Sequence, residues 1–202
     1  MYIYLTRHGE TIWNVDKRTQ GVQDIPLSKR GIRQAEALAE RLANENISTI
    51  YTSNLERAYR TAEIIGNRAG LIPIRKEELN EVNFGEWEGL TLKQIKTDYP
   101  GMFEKFYKDF SYAPEHGESL NSVQNRIHSF IRFIKKNHCD RDDRILVVSH
   151  TYPVRMLILE LMSFSTDLLL DFQLDNTGIS IIKLDDNTKR MICLNDVCHL
   201  KN

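Results

Sequence analysis

A chain of 202 residues is long enough for one ordinary domain that buries most of its apolar surface, and with 27 basic and 28 acidic residues its formal net charge is only −1. That balance supplies no global field for nucleic acid or an anionic membrane, so any anion site must be local. Cys139, Cys193 and Cys198 are odd in number and lack C-x-x-C spacing, no signal-like segment precedes Arg7, and no apolar run nears the ~20 residues that span a bilayer; the expectation is a cytoplasmic protein without disulfide framework, zinc knuckle or membrane partner.

The first element is a strand over 2–6, which runs directly into Arg7 and His8. Ser28 is placed to N-cap a helix with Ile32, Ala35, Leu38, Ala39 and Leu42 on one face. A strand over 49–52 leads to a helix from about Asn54, where Leu55, Ala58, Ala62 and Ile65 face inward and Glu56, Arg60, Glu63 and Asn67 form a polar stripe. A strand over 71–75 follows. The stretch 84–112 is less regular and holds eight of the chain's eighteen aromatic residues, more than a surface excursion needs. Two readings are open for it: a lid over a pocket, or an insertion with a small core of its own. Beyond it come a helix after Ser119, with Leu120, Val123, Ile127, Phe130, Ile131 and Ile134 in phase, and a strand over 144–149. A helix after Pro153 is apolar on nearly every side, and strands over 179–184 and 191–194 close the series. Alternating strands and helices predict an α/β fold. The expected form is a three-layer αβα arrangement with a mostly parallel central sheet, in a single domain 1–202 with 84–118 as a lid-like insertion.

The clearest strand signals, "IYLTRH" and "ILVVSH", each end in histidine, and the carboxyl ends of strands are where open α/β sheets bind ligands. One such histidine alone is more readily structural; His8 and His150 at equivalent strand ends can meet in one crevice. Arg7 beside His8, followed by Gly9, describes an anion pocket better than a metal site. Arg57 lies off the polar stripe in the first turn after a strand, where its guanidinium and the helix N-terminus can grip a phosphate; the alternative is a rim arginine paired with a carboxylate. Glu81, next to the aromatic segment, is placed to be covered by rings, which would raise its pKa and let it donate a proton. Glu77 and Glu78 read as solvated loop charges.

These residues carry a resemblance. "TRHGETIWN" resembles the signature of the histidine phosphatase superfamily, in the branch that includes cofactor-dependent phosphoglycerate mutase, and the match continues through "QGVQDIPLSKRGIRQAEALAERL", "YTSNLERAYRTAEII", "LNEVNFGEWEG", "HGESL" and "VVSHTYPVR". The resemblance implies that His8 takes the phosphoryl group while Arg7, Arg57 and His150 clamp the transferring oxygens. Glu81 would protonate the leaving oxygen and then deprotonate the incoming water. It further implies a phosphate contact from Asn14, with Gln20 and Gly21 at the substrate mouth, and neither metal nor cofactor. One departure stands out: the family has glycine after its second histidine, and here Thr151 is followed by Tyr152 and Pro153. A β-branched residue resists φ > 0, so either the backbone there differs, with the Thr151 N–H contact to phosphate at stake, or Thr151 and Tyr152 narrow the pocket.

No basic, proline-rich insertion lies between Glu81 and Glu118, which resembles the phosphatase members, broad-specificity phosphatases and α-ribazole phosphatase among them, more than the mutases. The expected activity is hydrolysis of a small-molecule phosphate ester, with phosphoglycerate mutation or sugar-bisphosphate hydrolysis as alternatives. Two other classes remain open: a metallohydrolase using His8, His150 and Glu81, disfavoured because Arg7 would repel a dication, and a phosphate-binding module without turnover, disfavoured because His8 and Glu81 are both present. The sequence sets no oligomeric state.

Overall fold

Ile3, Tyr4, Leu5 and Thr6 are all buried, as a continuous apolar run must be when both faces of a sheet are covered. They form β1 (Tyr2–Arg7) in a computed structural model that describes residues 1–138, 140, 142–185 and 188–201. Cys139, one of the three cysteines weighed above, lies outside the described residues. The other strands are β2 (Thr49–Thr52), β3 (Ile74–Arg75), β4 (Arg144–Ser149), β5 (Ile179–Leu184) and β6 (Lys189–Asp196), in the order β3-β2-β4-β1-β5-β6. The pairings β3 to β2, β2 to β4 and β4 to β1 are parallel; β5 and β6 add an antiparallel edge.

The helices are α1 (Ile12–Val15), α2 (Lys29–Leu42), α3 (Glu56–Ala69), α4 (Leu92–Asp98), α5 (Met102–Lys108), α6 (Leu120–Asn137) and α7 (Thr151–Met162). Strand alternation sorts them into layers. Ile3, Leu5, Tyr51, Ile145 and Val147 pack against the apolar faces of α6 and α7. Tyr4, Ile50, Leu146 and Val148 pack on the other side against Leu38, Leu42, Ala58, Ala62 and Ile65 of α2 and α3. This is the three-layer αβα arrangement with a mostly parallel sheet.

Several boundaries differ from expectation. The strand expected over 71–75 shrinks to Ile74–Arg75, because Pro73 has no N–H for a ladder and the segment lies at the sheet edge. β6 is longer than 191–194, since its exposed and half-buried residues alternate too weakly to mark its ends. α3 starts at Glu56, after Leu55 in extended backbone. α7 starts at Thr151, two residues before Pro153, which still falls in the first turn where a missing N–H is harmless. Thr151 is therefore helical and is not among the residues of positive φ.

The aromatic segment does not form a separate small core. Phe84, Trp87 and Phe106 are buried in the same cluster as Leu120, Val147 and Leu157. Trp87 meets Phe106 edge-on at 5.7 Å between centroids, and Phe84 lies 5.7 Å from the same ring. Thr91 caps α4 through a capping box with Gln94, fixing where the chain turns back towards the sheet.

Candidate active site

The β1–β4 register sets Arg7 opposite Ser149, so the next residues, His8 and His150, leave the sheet side by side. Their ring centroids are 5.1 Å apart, and the His8 N–H donates to the Ser149 carbonyl at 2.9 Å. The His8 side chain has one sensible tautomer. Its Nδ1 lies 2.7 Å from the Gly9 carbonyl oxygen, which can only accept, so Nδ1 carries the hydrogen and Nε2 the lone pair. Arg57 Nε donates to that lone pair at 3.3 Å. Burial first, then Arg57 and Arg7, holds His8 well below the ordinary histidine range.

The chain around His8 is held by backbone contacts. Thr61 on α3 accepts the Gly9 N–H at 3.0 Å, and Asn176 donates to the His8 carbonyl at 2.8 Å. A Cβ on Gly9 would come within 2.4 Å of the Gly31 carbonyl oxygen, and one on Gly31 within 2.0 Å of the Glu10 carbonyl oxygen, so two glycines let α2 press directly on the loop.

Arg57 is 1% exposed, whereas Arg60, on the polar stripe of the same helix, is exposed and pairs with Glu63. Arg57 Nη1 donates to Gln23 O and Nη2 to Gly21 O, both at 2.7 Å. Burial lowers its pKa to about 10, which leaves it charged at neutral pH. Gly21 supplies that carbonyl from positive φ, where a Cβ would collide with Glu88. Arg7 donates through Nη1 to Leu174 O at 3.2 Å, while its buried Nε has no hydrogen-bond partner.

Glu81 is 7% exposed. Its Oε1 accepts from the N–H groups of Val82 at 3.0 Å and Tyr152 at 3.3 Å, and its Oε2 from Thr151 N–H at 3.1 Å, so it sits on the N-terminus of α7. Burial raises its pKa; the Val82 N–H, then Arg57, Arg7 and Arg126, pull in the opposite direction. Arg126 on α6 fixes this loop by donating to the carbonyls of Glu78 at 2.6 Å and Glu81 at 3.2 Å while pairing with Glu118 at 3.0 Å.

A cavity of about 270 Å³ opens over these groups. Arg7, His8, Asn14, Arg57 and Glu81 line it together with the rings of Phe84, Trp87, Phe103, Tyr107 and Tyr152. Gln20, Gly21 and Thr151 also line it. Asn14 Oδ1 accepts the Thr11 N–H at 3.0 Å, which leaves the amide nitrogen for an anion; the Thr11 hydroxyl donates to Gln20 Oε1 at 2.9 Å. The Thr151 N–H is engaged by Glu81. His150, its ring 5.1 Å from that of His8, is fully buried with neither ring nitrogen hydrogen-bonded, and burial, then Arg57, holds it well below the usual range. Thr61, Arg126, Asn176 and the hydrogen-bonded hydroxyls of Tyr107 and Tyr152 escape sequence reasoning. Thr61 had a signal there, one helical turn from Arg57, and Tyr152 another, as a residue able to narrow the pocket. Among the described residues, the one cluster of histidine and carboxylate atoms spaced for a metal is the exposed set Glu86, Glu115 and His116, not His8, His150 and Glu81.

An αβα sheet carrying such a cluster at the carboxyl ends of its strands defines an enzyme of phosphatase type. Residues 3–197 match the histidine phosphatase superfamily (branch 1), and the chain belongs to that superfamily. It is 34% identical to phosphoserine phosphatase 1 of Hydrogenobacter thermophilus, over 98% of this chain and 93% of that one. Phosphoglycerate mutase-like protein 4 of Arabidopsis thaliana is 31% identical, over 98% and 86%. The structure of mycobacterial glucosyl-3-phosphoglycerate phosphatase complexed with VO3 superposes with a TM-score of 0.88 at 30% identity, covering 96% of this chain and 98% of the other. Among the described residues, no helix is long and apolar enough to cross a membrane.

Proposed function

We propose that this chain hydrolyses phosphomonoesters of small metabolites by two displacements at His8. The observation that carries the reading is the tautomer: a neutral imidazole whose lone-pair nitrogen faces Arg57 in a cavity also lined by Arg7 and Glu81. In the first displacement His8 Nε2 bonds to phosphorus and the phosphorus–oxygen bond to the leaving group breaks. Protonated Glu81 delivers its proton to that oxygen. Arg7, Arg57 and the Asn14 amide hold the transferring oxygens, which gather charge in the transition state. His150, whose ring lies 5.1 Å from that of His8 with both nitrogens unpartnered, completes the clamp on those oxygens. In the second displacement water attacks the phosphohistidine, Glu81 takes its proton, and phosphate leaves with His8 restored. Glu81 must hold a proton in one step and accept one in the other, and its raised pKa suits both.

The segment 84–118 belongs, on this reading, to the single domain 1–202 as a wall and lid, and its rings favour leaving groups with apolar surface. The free thiols of Cys193 and Cys198 suit a reducing cytoplasm, where small phosphorylated metabolites occur.

The test compares parent, His8→Ala and Glu81→Gln on a panel of metabolite phosphates and on p-nitrophenyl phosphate, with rapid alkaline quench. The parent should turn over at least one alkyl phosphate, and His8→Ala should form no phosphoenzyme. Glu81→Gln should release about one equivalent of p-nitrophenol in a burst, because that leaving group needs no proton, and then stall as acid-labile phosphohistidine. Turnover by His8→Ala above a hundredth of the parent rate, or parent-like rates for Glu81→Gln on both substrate types, would overturn the mechanism.

A further inference from the structure

The cavity wall carries more positive charge than a single phosphoryl group uses. Arg7, Lys17, Arg18 and Arg57 line it against one carboxyl group, Glu81. A phosphate dianion on Arg7 and Arg57 leaves the wall with two positive charges in excess when Glu81 is protonated and one when it is ionised. Lys17 and Arg18 come from the turn after α1 and are exposed, unlike the buried Arg57 and half-buried Arg7. Lys17 adopts the left-handed backbone conformation, at φ 55°, which is unfavourable for a residue with a side chain. The turn is held there by hydrogen bonds from Lys17 N–H to Asn14 O at 3.2 Å and from Arg18 N–H to Trp13 O at 2.9 Å. Arg18 spends Nη1 on the Gly89 carbonyl at 2.7 Å. Lys17 has no carboxylate or carbonyl partner among the described residues and keeps its ammonium for whatever enters.

We infer that Lys17, seconded by Arg18, forms a subsite for a carboxylate on the leaving group, so that preferred substrates are phosphomonoesters bearing one further single negative charge. A second phosphate fits less well, because with ionised Glu81 two dianions would exceed the positive charge of the wall. The subsite deepens the phosphatase reading and rests on it for its biological sense, while its binding preference is measurable without turnover.

The experiment is calorimetric titration of parent, Lys17→Met and Lys17→Arg with 3-phosphonopropionate and with propylphosphonate at low ionic strength, alongside the phosphohistidine assay described above. The parent should bind the carboxylated phosphonate about fivefold more tightly, the size expected of one partly exposed ion pair. Lys17→Met should bring the ratio close to one, Lys17→Arg should retain most of it, and raising the salt should shrink it in the parent. A parent ratio near one, or an unchanged ratio in Lys17→Met, overturns the subsite. Loss of phosphoenzyme formation with the ratio intact would instead overturn the phosphatase reading alone.

Discussion

His8 and His150 are neutral because they are buried beside guanidinium groups, and that neutrality is linked to stability. In both, burial is the largest influence and Arg57 the next, and both push the pKa well below 6.5. The unfolded chain takes up protons near pH 6.5 that the folded chain refuses, so stability is fully present above that pH and is lost as pH falls towards the folded-state values. Each histidine should therefore lower the unfolding free energy as the pH falls from 7 to 5. Glu81 works the other way: its raised pKa means stability is lost as pH rises from its unfolded value through its folded one. His150→Gln isolates one contribution. Urea unfolding at pH 7 and pH 5 should show a smaller pH difference in the variant than in the parent; identical differences would mean that His150 titrates alike in both states.

At the scale of elements, the phase of α3 separates two arginines three positions apart. Arg57→Ala strips donors from Gln23 O, Gly21 O and His8, whereas Arg60→Ala removes only an exposed pair with Glu63. Steady-state kinetics on p-nitrophenyl phosphate should show kcat/KM falling by about a hundredfold or more for the first and by less than about threefold for the second; equal losses would refute the assigned phase. This much was legible in the sequence, because helices with one wet face print a 3.6-residue period. Leu38 and Leu42 of α2 and Ile127 and Ile134 of α6 were placed for the same reason. α4 and α5 were not legible: the α5 rings Phe103 and Phe106 are held by tertiary contacts with Trp87 rather than by a local pattern, and α4 buries only Ile95. The start of α7 was misplaced because Pro153 fits more than one position of a first turn. Within the site, Arg7, His8, Arg57, Glu81 and His150 were readable as charged or polar groups at strand ends and turns. Arg126 was not, since it grips backbone carbonyls whose position exists only in the fold.

For the molecule as a whole, the aromatic segment shares its core with the sheet and α6, and this has a thermodynamic signature. Trp87 is 2% exposed within that common cluster. Trp87→Ala should lower global stability by about 3–5 kcal/mol, with circular dichroism and Trp13 fluorescence reporting one coincident urea transition. A lid that melted separately would give two transitions and leave the sheet's midpoint unchanged. The parallel pairing of β1 with β4 also governs when the site comes into being. Arg7 and Ser149 are neighbours across the sheet yet lie far apart along the chain, with α2, α3, the aromatic segment and α6 between them. Closing so long a loop is entropically expensive and slow, so β1 must wait, its histidine unshielded, while local helices form around it. In that interval His8 is an ordinary imidazole with ordinary basicity; its character as a nucleophile is acquired in the closing step of assembly, when β4 arrives and shuts out the water.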